Sequence, residues 1–241
     1  MNEKSEKNEK KYLVCERRSV FALLTLSAGM MGAYTFNLRG GVFCNAQTAN
    51  VVLMALSFGQ GNWSGGAYYL IPITAYLAGA FLSEILPSPL RRFGFLRWDT
   101  YLVAFEVITL FLIGFIPLSW PHHLVQVLVN FIASMQYNTF RQAEGIPMAT
   151  TFCTNQLRQV GIGFAKAVRK GDRDGLARAL FFLGMLGCFF SGGVLSTVFC
   201  RLISAKAIWL NLIPLGIVLT RLVHADLTDE KELLFRKPMG H

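Results

Sequence analysis

Apolar residues in this chain come in long unbroken runs, not in the alternation of a half-buried strand or the one-sided stripe of a soluble helix. The runs lie near residues 19–37, 66–86, 99–119, 121–140, 177–200 and 204–223. Each is about 20 residues, long enough to cross a bilayer as a helix. The pattern predicts an all-α integral membrane helical bundle of about six transmembrane helices. It forms a single transmembrane domain over 19–223, with a basic tail at 1–18 and a second tail at 224–241. Trp63, Trp98 and Trp120 fall at run ends, where an amphipathic indole prefers the membrane interface; Trp209 falls inside the last run and fits less well.

Residues 1–18 carry Lys4, Lys7, Lys10, Lys11, Arg17 and Arg18. No small-residue cleavage site closes the run from Val20 to Phe36, so it reads as a retained span and not as a signal peptide. The basic residues then set the orientation. With the N-terminus in the cytoplasm, the 87–98 loop (Arg91, Arg92, Arg97), the 141–176 loop (Arg141, Arg158, Lys166, Arg169, Lys170, Arg173) and the C-terminal tail (Lys231, Arg236, Lys237) all lie inside. The 118–122 turn lies outside and holds no Lys or Arg, and Arg39, Arg201 and Lys206 are the exceptions. An eight-span path, with 44–60 and 148–165 also crossing, would put Arg91, Arg92 and Arg97 outside; the positive-inside rule prefers six.

Two polar segments break the pattern and resemble each other. Thr35-Phe36 and Thr139-Phe140 each end a run, each is followed by a glycine (Gly41, Gly145), and each leads into a Thr/Asn/Gln patch at 44–50 and 150–156. This is a weak internal repeat, with halves at about 19–119 and 121–223. Three spans per half is an odd number, so the halves would enter the membrane from opposite sides, an inverted repeat of the kind common in secondary transporters. Each half would add one short polar helix. Two readings of those helices stand side by side: interfacial amphipathic helices capped by Thr and Asn, or helix N-termini lining a wet site.

The strings Arg39-Gly40-Gly41-Val42-Phe43-Cys44-Asn45-Ala46-Gln47-Thr48-Ala49-Asn50 and Met135-Gln136-Tyr137-Asn138-Thr139-Phe140, with the stretch from Ala149 to Arg158, resemble the YoaK family. That family consists of uncharacterised multi-pass bacterial membrane proteins, grouped as a domain of unknown function. The resemblance runs over roughly 19–223. It implies an integral protein of the bacterial inner membrane and brings no reaction with it. The usual Thr-Gly-Asn of the family is Thr48-Ala49-Asn50 and Thr154-Asn155-Gln156 here.

Polar residues inside apolar runs are the candidate site, because a polar group in hydrocarbon must face a partner or a cavity. Gln126, Asn130, Ser134, Asn138 and Arg141 follow one another at helical spacing and form one face of the fourth span. They read either as interhelical hydrogen bonding or as the lining of a polar pathway. Glu106 lies about two turns inside the third span. A lone carboxylate there is either a proton carrier or half of an ion pair, with Arg141 and Arg158 as candidate partners. Thr48 and Asn50 would line an outer half-path, and Thr154 and Gln156 an inner one. Gly29, Gly32, Gly184, Gly187 and Gly192-Gly193 would let helices approach closely.

Composition agrees with this picture. Of 241 residues, 53% are hydrophobic and 15% charged, against about 25% charged in a soluble domain. The net charge of +9 sits in tails and loops beside apolar runs, which points to topology and anionic lipid, not to nucleic acid. The five cysteines form no CxxC pair or Cys/His cluster, and His122-His123 lies alone in a turn, so no metal site is expected. No phosphate loop and no hydrolase or metalloprotease motif occurs, so no cofactor and no enzymatic activity are expected. The leading expectation is a small secondary transporter or permease for a small polar or anionic solute. Arg39, Arg141 and Arg158 lean toward an anion. The alternative is a non-transporting membrane scaffold or sensor. Membrane lipid and a second copy in a homodimer are the expected partners.

Overall fold

The computed structural model describes residues 12–90, 94–236 and 238. Lys4, Lys7, Lys10, Lys11, Arg91, Arg92 and Lys237 lie outside the described residues. The chain is mostly helical: α1 (Arg18–Leu38), α2 (Gln47–Gly59), α3 (Trp63–Tyr68), α4 (Leu70–Ile85), α5 (Pro87–Leu90), α6 (Trp98–Ile113), α7 (His122–Thr139), α8 (Cys153–Lys170), α9 (Arg173–Ile203) and α10 (Leu212–Leu227). A 3-10 segment, Ser204–Asn211, leads into α10, whose Pro214 sits in the first turn where its missing N–H has no partner to lose. The last helix therefore starts and ends later than the 204–223 run suggests.

Three helical stretches among the described residues are long and apolar enough to cross a membrane: Arg18–Leu38, Trp63–Leu90 and Arg173–Leu227. Helix α6 is shorter, at 16 residues, and α7 is less apolar because of its row of amides. Large apolar side chains stand exposed on the outer faces, among them Leu77, Phe81, Phe115, Phe190 and Ile213. Exposed apolar surface on this scale needs a nonaqueous neighbour, and bilayer lipid is one. The chain is membrane-associated in its architecture.

Side-chain contacts order the helices. Arg18 meets Phe181, Gly29 lies on Phe189, and Asn37 donates to Thr197 Oγ1 (3.1 Å), so α1 and α9 run parallel. Tyr68 meets Gln126, Gly79 lies on Phe131, and Asn138 donates to Ser83 Oγ (2.9 Å), so α4 and α7 run parallel too. Gln126 donates to the Arg39 carbonyl, and Arg18 pairs with Glu144 just past α7, so the two pairs are antiparallel to each other. Asp226 at the end of α10 meets Arg97 at the start of α6, which sets those two helices antiparallel. We call the end with Arg18, Arg97, Thr139 and Asp226 proximal, and the end with Leu38, Gly114, His122 and Trp209 distal. The core between the pairs is filled by Leu24, Met31, Val103, Val129, Leu215 and Val218.

Glycine sets the closest approaches. A methyl group on Gly192 would sit 2.1 Å from the Leu26 carbonyl oxygen, and one on Gly29 would sit 2.1 Å from that of Phe189. In the other pair, a methyl on Gly79 would sit 2.3 Å from the Phe131 carbonyl oxygen. Gly32 leaves room for the Asn45 amide, whereas Gly184 and Gly187 face open space, so of the expected packing glycines these two pack against nothing.

The two polar segments fold back into the bundle. After α1, Gly40 and Gly41 take positive φ (81° and 70°), a region glycine occupies without penalty, and the chain turns inward. Asn45 then donates to the carbonyl of Ala28, halfway along α1 (3.0 Å), and α2 runs back out to the distal end. After α7, a two-residue hairpin pairs Gln142–Ala143 with Ile146–Pro147 through Glu144 and Gly145, both at positive φ as a tight hairpin turn demands. The chain again turns inward, with Thr150 accepting from Gln136 (2.9 Å), and α8 runs back to the proximal end. Left-handed Gly171 closes α8, and Asp172 caps α9 by accepting from the Gly175 N–H (3.0 Å).

Candidate functional site

The candidate residues divide into a buried set and a surface set. Asn50, Glu106, Gln126, Asn130 and Gln156 are each buried to 1% exposure or less. Thr48 and Thr154 are exposed, and Asn138 and Arg141 are half-buried at the proximal end.

Around the first inward turn, the buried amides form one network. Asn50 lies in the first turn of α2, accepts from the Phe43 N–H (3.2 Å) and donates to the Phe43 carbonyl (2.7 Å). It also donates to Gln47 Oε1 (3.1 Å), and Gln47 donates to Asn130 Oδ1 in the middle of α7 (2.8 Å). Asn130 in turn donates to the Gln126 carbonyl (2.8 Å), and Gln126 reaches the Arg39 carbonyl. The spacing on α7 therefore serves to anchor the 39–50 segment, and Gln47 is the link that the sequence did not single out.

Around the second turn, Gln156 lies in the first turn of α8 and donates to the Ala149 carbonyl (2.9 Å). Gln136, on the opposite side of α7 from the amide row, donates to Thr150 and to the Leu24 carbonyl. Three atoms here are buried without a hydrogen-bond partner: Gln136 Oε1, Thr151 Oγ1 and Gln156 Oε1. Unpaired buried polar atoms are rare and mark a place where water or a small polar molecule would gain bonds.

Glu106 is fully buried on α6, and neither carboxylate oxygen has a hydrogen-bond partner among the described residues. The expected ion-pair partners are engaged elsewhere. Arg141 pairs with Glu84 (3.0 Å) and bonds Asn138, and Arg158 bonds Asn155 (3.0 Å). Both lie beside a proximal surface groove that Asn138 and Thr154 also line.

Arg39 does not stand ready for an anion. Its side chain is fully buried; Nε and Nη2 donate to Tyr34 Oη (3.2 and 3.1 Å), and Nη1 and Nη2 donate to the carbonyls of Pro117 (3.1 Å) and Ile116 (2.6 Å). It ties the loop after α1 to the loop after α6. Trp209 does likewise for the 3-10 segment before α10, lying in the space left by Gly114, stacking on Phe111 and donating to the Phe111 carbonyl (2.9 Å), which explains an indole inside an apolar run.

The proximal end holds a cluster that the sequence reading missed. Arg97, 3% exposed, donates from Nε to Asp226 Oδ1 (2.9 Å) and from Nη2 to Glu230. Its backbone N–H donates to Asp226 Oδ2 (3.0 Å), as does Thr100 Oγ1 (2.6 Å). Glu230 accepts from the Val14 N–H (2.8 Å), which binds the N-terminal segment to the other two. Burial works against the Arg97 charge, but Asp99, Cys15, Glu230 and Asp226 outweigh it and hold the guanidinium above its ordinary range. Asp226 and Glu230 fall within the expected C-terminal tail, 224–241. The available signal is a carboxylate three residues past the end of the 204–223 run.

No curated protein and no solved structure matches the chain. A family model does match, over residues 20–220, which takes in all the helices from α1 onward but the first two residues of α1 and the end of α10. The chain belongs to the family described as proteins of unknown function, DUF1275.

Proposed function

We propose that this protein is a small secondary transporter or permease of the bacterial inner membrane, moving a small polar or anionic solute by alternating access between two inverted halves. The observation that carries the reading is reciprocal packing. Gly79 of α4 lies on the Phe131 carbonyl of α7, and Gly192 of α9 lies on the Leu26 carbonyl of α1. Exchange the halves and the contact repeats. Under this reading α1, α3–α4, α6, α7, α9 and α10 are the six crossings, and both termini are cytoplasmic. Segments 39–59 and 148–170 dip in from opposite faces.

Such a plan brings the N-termini of α2 and α8 toward the bilayer midplane, where their partial positive charge favours anionic or neutral polar solutes over cations. Thr48 and Asn50 face the outer half-path, Thr154 and Gln156 the inner, with Gln126, Asn130 and Asn138 adding hydrogen bonds. Glu106, buried without a partner, carries the coupling proton. The mechanism needs no enzymatic step, and resemblance to the YoaK family sits with it. Lipid and a second copy of the chain are its natural partners.

The test uses single cysteines at Thr48 and Thr154 in a background lacking native cysteines, in sealed vesicles of each orientation. An impermeant thiol reagent reaches Thr48→Cys from outside and Thr154→Cys from the cytoplasmic face. An imposed proton gradient raises labelling at one site as it lowers the other, and Glu106→Gln abolishes that response. Labelling that ignores the gradient in the parent protein overturns the reading. It would favour a scaffold or sensor, which the backbone-anchoring bonds of Asn50 and Gln156 also suit.

A further inference from the structure

A cavity of about 170 Å³ opens at the proximal end between α4, α6 and the C-terminal segment. Arg97, Trp98 and Asp99 line it from the head of α6, with Ser83 and Ser88 opposite. Arg97 and Asp99 are each 3% exposed, yet each keeps a buried polar atom without a hydrogen-bond partner: Arg97 Nη1, a donor, and Asp99 Oδ2, an acceptor. The other Arg97 nitrogens are held by Asp226 and Glu230, and its Nε lies 3.9 Å from Asp99 Oδ2. Asp99 also shares a hydrogen bond with the Cys15 thiol, so two neighbouring lining residues of one small cavity each keep one polar atom to satisfy.

From this arrangement we propose a binding site for a small zwitterion of the amino-acid class, its carboxylate on Arg97 Nη1 and its ammonium on Asp99 Oδ2. Charge decides the class. Arg97, Arg236 and Arg141 (the partner of Glu84) stand against four carboxylates, those of Glu84, Asp99, Asp226 and Glu230, so the cluster keeps one negative charge to spare. A simple anion would add to that excess, whereas an ammonium group relieves it. The Trp98 indole attracts an ammonium as well. A bare inorganic cation would leave Arg97 Nη1 unpaired. Size agrees: an apolar cavity of about 150 Å³ holds a benzene molecule of about six heavy atoms, the scale of alanine or serine. The site is distinct from Thr48, Asn50, Glu106, Thr154 and Gln156, so it stands whether or not the protein transports.

The test is thermal unfolding of the purified full-length protein in detergent, followed by tryptophan fluorescence, with L-alanine, L-serine, acetate and methylammonium as probes. The amino acids raise the unfolding temperature saturably, and acetate with methylammonium, added together at the same concentration, does not. Ser88 is exposed at the rim, so Ser88→Trp folds as the parent does and removes the shift by filling the cavity. Asp99→Asn weakens binding about tenfold or more, because a charged hydrogen bond is lost. No shift with either amino acid, or a shift that survives Ser88→Trp, overturns the site.

Discussion

Asn50 and Gln156 make the same contact in the two halves of the chain. Each lies in the first turn of the helix that follows an inward turn and donates its side-chain amide to the backbone carbonyl seven residues upstream, Phe43 and Ala149 respectively. The bond closes each inward turn on itself, so the backbone polar groups of an irregular segment are not left bare in the bundle. The match is incomplete in one respect. Asn50 also accepts from the Phe43 N–H, whereas Gln156 Oε1 has no partner.

That difference predicts unequal effects. Asn50→Ala strips both Phe43 groups of their bonds and lowers stability by about 2–4 kcal/mol, two buried groups at about 1–2 each. Gln156→Ala strips one carbonyl and also removes an unpaired oxygen, so it costs at most about 1–2 kcal/mol. Reversible unfolding of both variants in mixed micelles checks the order; equal losses would mean that the two turns are anchored by something other than these amides.

Arg39 predicts a different kind of failure. Among the described residues its guanidinium meets no carboxylate and is held by Tyr34 Oη and two carbonyls. Arg39→Lys keeps the charge but cannot span three acceptors with the same planar fork. We expect a loss of about 2–3 kcal/mol on thermal unfolding, nearly as large as for Arg39→Ala. Full retention of stability in Arg39→Lys would show that charge alone matters there.

The glycine contacts separate packing from sequence pattern. Gly192→Ala forces a methyl group into the Leu26 carbonyl and Gly79→Ala into that of Phe131, each costing about 1–3 kcal/mol through displaced helices. Gly184→Ala meets nothing within 4 Å and lies inside a helix, so it should gain up to about 1 kcal/mol. Unfolding temperatures of the three variants, measured side by side, give the comparison directly.

These cases mark how much could be read from the chain alone. Long apolar runs disclose helices well: α1 and α9 cover the 19–37 and 177–200 stretches, and α7 covers 121–140 but for one residue at each end. Polar breaks such as Gly40-Gly41 and Gly145 disclose where the chain must turn. Pairwise partners stay hidden, because they depend on which helix faces which. Glu106 looks like half of an ion pair, and Arg141 looks available, until Glu84 is seen beside it. Asp226 and Glu230 look like tail residues because hydropathy cannot see that α10 brings them under Arg97. Gly184 and Gly192 look alike in sequence and differ only in what lies across from them.

The proximal cluster yields the last prediction, read through Cys15. This thiol is buried beside Asp99, and burial first, with that carboxylate second, pushes it well above its usual value of 9.0. The folded thiol thus holds its proton more tightly than the unfolded one. Its contribution to stability is intact below pH 9.0 and is lost as pH rises toward the folded value. In a variant that keeps Cys15 as its only cysteine, N-ethylmaleimide should react slowly at pH 8, because both access and thiolate are lacking. Asp226→Ala removes the carboxylate that Arg97 and Thr100 both hold, at about 3–5 kcal/mol for a broken buried pair. The segment carrying Cys15 is joined to that cluster through the Val14–Glu230 bond, so labelling should then accelerate at least about tenfold. Unchanged labelling in a destabilised Asp226→Ala protein would mean that residues 13–16 are held in place independently of the cluster.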